Sequence, residues 1–280
     1  MTEMARVSLI QMVSGFDVDE NLAHASSLLE KAASTGAQIA VLPENFAAFQ
    51  NRHLVDVAIR ESAGEGAIRR FLSEQSARLG LWIVGGSVPL CERPDGESVP
   101  DGRVRAACLV YDDRGREVAR YDKIHLFDAE VGDQQGRYQE SSVFEPGDRA
   151  VVLDTPAGRL GLSICYDLRF PELYRELRAQ GAEWVVVPSA FTYRTGEAHW
   201  EILLRARAIE NQFWVCAPDQ GGWHDERRRT WGHSMIVDPW GRIVQGAEEG
   251  EAVVSGELDR ELLQKTRKAM PVWEHRRSGF

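Results

Sequence analysis

The chain is short of the features that would place it in a membrane, in an oxidising compartment or on a nucleic acid. No apolar run approaches the roughly 20 residues that cross a bilayer. The opening Met1-Thr2-Glu3-Met4-Ala5-Arg6 lacks the charged-then-apolar order of a secretion signal. Its four cysteines, Cys91, Cys108, Cys165 and Cys216, stand far apart with no CxxC pair, which disfavours a zinc knuckle. At 280 residues and 43% hydrophobic composition, the chain has enough core to need no disulfide framework. Positive charge is in deficit, since 33 Lys and Arg face 43 Asp and Glu for a formal net charge of −10. That balance argues against a nucleic-acid scaffold, which needs a basic face. It leaves the charge of a small substrate open, because a site can be locally basic on an acidic protein. No composition break marks a linker, and no internal repeat is present. A cytoplasmic protein with neither nucleic acid nor membrane among its partners is the expectation.

What is present alternates strand with helix. The spacing predicts a strand over 7–12, then Asp17-Val18-Asp19-Glu20 as a capping box. A helix follows whose face carries Leu22, Ala25, Leu28, Leu29, Ala32 and Ala33, closed at Gly36. A short buried strand at 39–42 leads to a helix through Ile68, Phe71, Leu72 and Leu79 that stops at Gly80, and to a strand at 81–88. Asp112-Asp113-Arg114-Gly115 joins strands 106–111 and 117–121, and Thr155-Pro156-Ala157-Gly158 joins 151–154 to 160–164. Residues 91–103 form a loop rich in Pro, Gly and acid, and 128–146 read as a long polar loop of the kind that is usually functional or disordered. Helices are expected at 171–180 and 197–212, the second with Trp200, Leu203, Leu204 and Ile209 inward. Strands are expected at 184–187, 213–217, 233–237, 242–244 and 252–256, and Asp259 caps a last helix before a tail over 271–280. The class is α/β.

Three strand ends carry chemistry. Cys165 ends the apolar run Leu160-Gly161-Leu162-Ser163-Ile164 and opens into Tyr166-Asp167-Leu168-Arg169-Phe170-Pro171. A thiol there stands at the rim of a sheet, where free backbone N–H groups can bind an anion. A lone cysteine is commonly just a small buried hydrophobe. Glu44, after Val41-Leu42-Pro43, and Lys123, after Arg120-Tyr121-Asp122, alter that judgement. Taken singly, Glu44 is simplest as a helix-start carboxylate and Lys123 as a solvated lysine. Together with the thiol they make a base, an oxyanion stabiliser and a nucleophile. Other cysteine chemistries fit less well. A phosphatase loop would set its Arg further from the Cys, and no local protease motif links Cys165 to His125, His199, His224 or His233.

Glu44, Lys123 and Cys165, in that order, resemble the catalytic set of the nitrilase superfamily of carbon–nitrogen hydrolases, and the likeness runs from Gln11 to Pro271-Val272-Trp273. The resemblance implies a four-layer α-β-β-α sandwich as a single domain over 1–280, with a C-terminal tail from about 259 packing in a homodimer. It implies attack by Cys165 on an amide, a thioester intermediate and release of ammonia. Glu44 would be the proton carrier, and Lys123 and the Tyr166 N–H the oxyanion site. A second glutamate, matched by Glu140 in Tyr138-Gln139-Glu140-Ser141, would hold Lys123 and the substrate; on position alone it is a solvated loop carboxylate. No metal and no cofactor is implied.

The run from Cys165 to Leu173, together with 189–201 and 232–241, resembles the Nit-type amidases rather than true nitrilases, which carry Trp-Glu-Asn after the cysteine. Within that group Gln220-Gly221-Gly222-Trp223-His224 and the following arginines lean towards a deaminated glutathione substrate; small α-keto acid ω-amides such as α-ketoglutaramate are the alternative. A catalytically silent binding member stays open as a further reading. A polyanionic substrate calls for cations and donors, with Arg194, His224 and Arg227-Arg228-Arg229 as candidates, although each arginine of that run is more simply solvated. Phe191 and Thr192 are expected to line the pocket and Trp200 and Leu204 to be core; Arg169 and Glu172 could bind substrate but are more simply read as holding the turn after Cys165 by ion pairs. Trp231, where the family often has Tyr, leaves the pocket's depth open.

Overall fold

A computed structural model describes residues 4–49, 53–132 and 136–277. Two mixed sheets lie face to face. The first runs Ala252–Asp259, Met4–Gln11, Ile39–Val41, Trp82–Val84, Arg105–Tyr111, Val88–Leu90, with Glu117–Asp122 also paired to Arg105–Tyr111. The second runs Ile243–Gly246, Met235–Val237, Trp214–Ala217, Trp184–Val186, Gly158–Leu162, Val152–Thr155. Each has three adjacent parallel strands: Met4–Gln11, Ile39–Val41 and Trp82–Val84 in one, Gly158–Leu162, Trp184–Val186 and Trp214–Ala217 in the other. Parallel strands deliver their C-terminal ends to one edge, where open α/β sheets place their ligands.

The period of two in each strand sorts its side chains between layers. Val7, Leu9, Ile39, Val41, Cys108 and Val110 point into the core shared with the second sheet. Their neighbours Ile10, Ala40, Leu42, Ala107 and Leu109 point the other way. There they meet helix α1 (Val18–Ser34) and, beyond α2 (Leu54–Ser62), helix α3 (Ala67–Leu79), through Leu22, Leu28, Leu29, Ile68 and Leu72. On the far side, α4 (Pro171–Ala179) and α5 (Tyr193–Asn211) cover the second sheet with Leu173, Tyr174, Leu177, Trp200 and Leu204. The result is the four-layer α-β-β-α sandwich. The last helix, α6 (Arg260–Ala269), starts where Asp259 accepts the N–H groups of Glu261 and Leu262. It docks on its own protomer through buried Leu263 and through Arg267, which donates to the carbonyls of Gln212 and Ala182. Among the described residues no helix is long and apolar enough to cross a membrane.

The structure departs from the sequence pattern where turn chemistry hides in it. The strand expected over 81–88 breaks at Gly85-Gly86. Gly86 has φ 56°, and a Cβ there would lie 2.0 Å from the Pro43 carbonyl oxygen, so the kink lets the Pro43-Glu44 segment pass close by. Helix α2 was not anticipated; its N-cap His53 makes no side-chain cap bond. The long polar loop contains a hairpin, Asp128–Glu130 with Arg137–Gln139, and 220–231 contains another, Gly221–Trp223 with Arg229–Trp231. Ile209 is exposed rather than inward; Arg207 and Ala208 take the buried positions on that turn of α5. Of the expected tail, residues 278–280 lie outside the described residues.

Leu9→Ala, at a fully buried position between the sheets, should lower unfolding free energy by about 2–5 kcal/mol in urea denaturation. Ile59→Ala, at a half-exposed position on α2, should stay within about 0.5 kcal/mol of the parent. Equal losses would mean that the inter-sheet core does not carry the stability.

Candidate active site

Each side chain at the site is delivered by a strand that ends at the same edge. Glu44 follows Ile39–Val41, whose extension is held by the Leu42 N–H on the Val84 carbonyl. Beside it Asn45 adopts φ 55°, fixed by its N–H on Ser87 Oγ at 2.8 Å. Lys123 follows Glu117–Asp122; its N–H reaches the Ala106 carbonyl and its own carbonyl receives the Gly147 N–H. Lys123 is 1% exposed, yet all three ammonium donors have acceptors: Glu44 Oε1 at 2.7 Å and Glu140 Oε2 and Oε1 at 2.8 and 3.0 Å. Glu140 opens a short 3-10 turn after the hairpin, and the Phe127 N–H on its Oε2 at 2.7 Å aims it back at the lysine.

Cys165 begins the 3-10 helix Cys165–Arg169 with φ 45°, a left-handed conformation that a non-glycine residue holds only under tertiary constraint. Part of that constraint is its N–H on the Pro188 carbonyl at 2.9 Å. The next N–H, that of Tyr166, lies in the first turn, where no intrahelical acceptor exists. The rest comes from Asp167, which is fully buried. Its Oδ2 accepts from Tyr121 Oη at 2.7 Å and from the Ile164 N–H at 2.9 Å. Its Oδ1 accepts the His125 N–H at 3.0 Å and meets His125 Nδ1 at 2.7 Å. Tyr121 and His125 flank Lys123, so one carboxylate sets the cysteine turn in register with the lysine strand.

Burial and neighbouring charge decide the resting protonation. Burial raises the Glu44 pKa above the ordinary carboxylate value, against the opposing pull of Lys123. For Lys123 burial alone would lower the pKa, but Glu140 and Glu44 outweigh it and hold the ammonium well above its usual value. The Cys165 thiol is pushed well up, by burial first and then by the Glu44 charge, against Lys123 and the Ala190 N–H. At rest the site is therefore a protonated thiol beside a carboxylate and a locked ammonium. Glu44 Oε2 also accepts the Ala190 N–H at 3.0 Å, which fixes its direction. This arrangement can move a proton from sulfur to Glu44 as sulfur attacks, while the lysine stays charged.

The cavity above Cys165 has a volume of about 50 Å³ and opens to solvent, room for the reacting end of a substrate with a bulky remainder at the mouth. Phe127, Tyr138, Tyr166 and Phe191 form apolar walls, and Thr192 and Asn45 bring polar atoms. Phe191 and Thr192 stand where the sequence placed them. Arg194 and His224 do not line the cavity. Arg194 is exposed on α5 and donates to the Gly132 carbonyl. His224 has both ring nitrogens in use, on the Ser14 carbonyl and Thr230 Oγ1, and burial pushes its pKa down to about 4. It stacks on Phe49 as a neutral structural ring.

Two arginines take the place of those candidates. Arg169, expected to hold the turn after Cys165 by an ion pair, instead lines the cavity, with its guanidinium over the rings of Phe191 and Tyr166 and against His199 Nδ1. Arg228 is buried and lines the cavity as well, whereas Arg229 pairs with Glu249 and Arg227 is exposed. Strand alternation near 229–231 is the signal that separates them. Trp231 lies on α5 rather than in the cavity: a Cβ on Gly196 would meet its Cβ at 2.2 Å, so its size is absorbed by a glycine.

A family model described as carbon–nitrogen hydrolase matches residues 6–268. The chain is 44% identical over 277 residues to a deaminated glutathione amidase of Yersinia enterocolitica, covering 98% of this chain and 93% of the relative. It is 37% identical over 275 residues to an omega-amidase of Xenopus tropicalis, covering 97% and 95%. Among solved structures it is similar to the C. elegans NitFhit protein, with a TM-score of 0.86, 38% identity and 98% of this chain covered. This chain spans 65% of the NitFhit chain.

The charges predict a separation of two properties. Glu44→Gln removes the anion that raises the thiol while leaving Lys123, so iodoacetamide should alkylate Cys165 in that variant at least as fast as in the parent at pH 8. Cys108 and Cys216, whose thiols burial pushes far up, should stay unlabelled. Peptide mapping by mass spectrometry reads both; a slower Cys165 in Glu44→Gln would contradict the charge assignment.

Proposed function

Because the chain belongs to the carbon–nitrogen hydrolase family, we propose that it is an amidase in which Cys165, Glu44, Lys123 and Glu140 act together on deaminated glutathione. The carrying observation is the Lys123 ammonium bonded to both glutamates beside a thiol on a left-handed turn. Sγ attacks the amide carbon as its proton passes to Glu44. The carbonyl oxygen becomes an oxyanion facing the Lys123 ammonium and the Tyr166 N–H, and removal of one such donor typically costs about 100- to 1000-fold in rate. Glu44 returns the proton to the departing nitrogen, the C–N bond breaks and a thioester remains on Cys165. Glu44 then takes a proton from water as the hydroxyl adds to the thioester carbon, the C–S bond breaks with return of that proton from Glu44 to Sγ, and the free acid leaves. Glu140 holds Lys123 in place throughout, and Phe191 and Thr192 contact the acyl chain.

The chemistry of the substrate corrects one expectation. Deaminated glutathione has no primary amide: its amide bonds join a ketoglutaryl group to cysteine and cysteine to glycine. Cleavage of the first gives 2-oxoglutarate and a dipeptide amine, so ammonia is the product only of the alternative substrate, α-ketoglutaramate. Both substrates share one acyl group and would pass through the same thioester. The small cavity suits that acyl group, with the dipeptide at the mouth. The name of the Yersinia relative favours the peptide substrate, and that of the Xenopus relative keeps the small amide as the second reading.

A homodimer belongs to the same reading. It is supported by the exposed apolar side chains Ile202 and Ile209 on α5 and nearby Trp240. A cytoplasmic location is supported by four cysteines that form no disulfide.

The test is to follow 2-oxoglutarate and ammonia in parallel. Both substrates should yield 2-oxoglutarate, only α-ketoglutaramate should yield ammonia, and kcat/KM for deaminated glutathione should be higher by about tenfold. Cys165→Ala should abolish both reactions and Cys91→Ala neither. The reverse order of kcat/KM would make the protein an omega-amidase, and turnover by Cys165→Ala would end the thioester mechanism.

A further inference from the structure

Three arginines are buried among the described residues: Arg105, Arg207 and Arg228. Arg105 pairs with Asp122 and Glu145, and Arg207 with Glu210. Arg228 faces no carboxylate among the described residues. Its Nη1 donates to Tyr138 Oη and its Nη2 to the Ala190 carbonyl at 3.1 Å, and its guanidinium lies over the rings of Tyr138 and Phe49. Guanidinium carries five N–H donors, so these neutral acceptors leave donors over on a largely buried cation that lines the cavity. A buried charge without a counter-ion is costly unless a ligand supplies one.

The position of this group is fixed relative to the chemistry. Ala190, whose carbonyl holds Arg228, is the residue whose N–H holds Glu44. Tyr138, its other partner, lies on the strand that leads into Glu140. Both of its anchors thus belong to segments that also hold the base or the lysine clamp. The hairpin turn is pinned by Asp225 Oδ1, which accepts the Arg228 N–H at 2.7 Å, and by the His224 N–H on the Arg228 carbonyl at 2.9 Å. Charge points the same way. Among the described residues there, Glu44, Glu140, Lys123 and the half-exposed Arg169 cancel, so Arg228 adds one positive charge in excess.

We infer that Arg228 is the specificity-determining residue for the acyl side of the substrate, binding a carboxylate carried on the chain whose other end is the scissile amide. The inference rests on the amidase reading and refines it. It accounts for selection of an ω-amide of a dicarboxylic acid over a neutral amide of the same length. It also assigns the arginine to the part that the peptide and small-amide substrates share, leaving discrimination between those two to the mouth.

The experiment compares α-ketoglutaramate with 4-oxopentanamide, in which a methyl group replaces the carboxylate. In Arg228→Met the ratio of kcat/KM for the acid over the neutral amide should fall about 30-fold or more, mainly through KM, with Arg228→Lys in between. Arg227→Met, at an exposed position outside the cavity, should leave the ratio unchanged. A parallel calorimetric titration with 2-oxoglutarate compares Cys165→Ala with Cys165→Ala/Arg228→Met and needs no turnover; affinity should fall by a similar factor in the double variant. If both amides lose kcat/KM equally in Arg228→Met, or 2-oxoglutarate binds the two proteins alike, Arg228 is a structural residue and the inference is overturned. If the parent hydrolyses neither amide while the titration still depends on Arg228, the amidase reading fails and the anion site stands.

Discussion

One buried ammonium organises this molecule's chemistry. Lys123 has almost no contact with water and places its three N–H donors on two glutamates brought from different parts of the chain. Burial alone would lower the pKa of a lysine at this depth, and without the lysine it would raise that of Glu44 further. Together they stay ionised, so the site carries an anion to receive a proton and a cation to meet an oxyanion within one hydrogen-bonded unit. Burial, and then the Glu44 charge, keep the neighbouring thiol protonated against the pull of the ammonium. Nucleophile activation is thereby coupled to binding, which a free thiolate would not achieve.

The fold exists, in this view, to bring strand ends together. Glu44 and Cys165 leave parallel strands of opposite sheets, Lys123 leaves an antiparallel one, and Glu140 returns on a hairpin. Interdigitated side chains between the sheets hold the two edges level. Asp167 completes the registration by bonding to residues on both sides of Lys123 and to the turn that carries Cys165. The 221–231 hairpin and the loop before α5 are tied into that frame, because Ala190 bonds both Glu44 and Arg228 and Arg228 bonds Tyr138 beside Glu140.

Much of this was legible in the sequence because periodicity and strand-end position are local. Glu44, Lys123 and Cys165 each follow a strand-like stretch, and the layers follow from alternation and amphipathic spacing. Glu140 was visible only through family likeness, because a carboxylate in a polar loop looks the same whether solvated or aimed at a lysine; the hairpin that turns it inward depends on pairing across a loop. Arg228 was hidden between two other arginines, and only the register of a hairpin distinguishes the inward one. His224 misled in the opposite direction. Its residue type suggested a ligand contact, whereas the Ser14 and Thr230 partners that occupy its ring nitrogens are far away or unremarked in sequence, and the burial that lowers its pKa is not visible there. The kink at Gly86 is another long-range effect, since its reason is the approach of Pro43.

The most direct test of the central claim is the pH dependence of stability in Lys123→Met, measured by urea denaturation from pH 5 to 8 beside the parent. Without the ammonium, burial leaves Glu44 with a folded-state pKa above its unfolded one, so the variant's stability is retained at low pH and lost as pH rises and the carboxylate is forced to ionise. The account predicts a deficit of about 3 kcal/mol or more at pH 8 that shrinks towards pH 5. A deficit that is absent, or constant across that range, would show that Glu44 does not depend on Lys123 for its charge and would contradict the account.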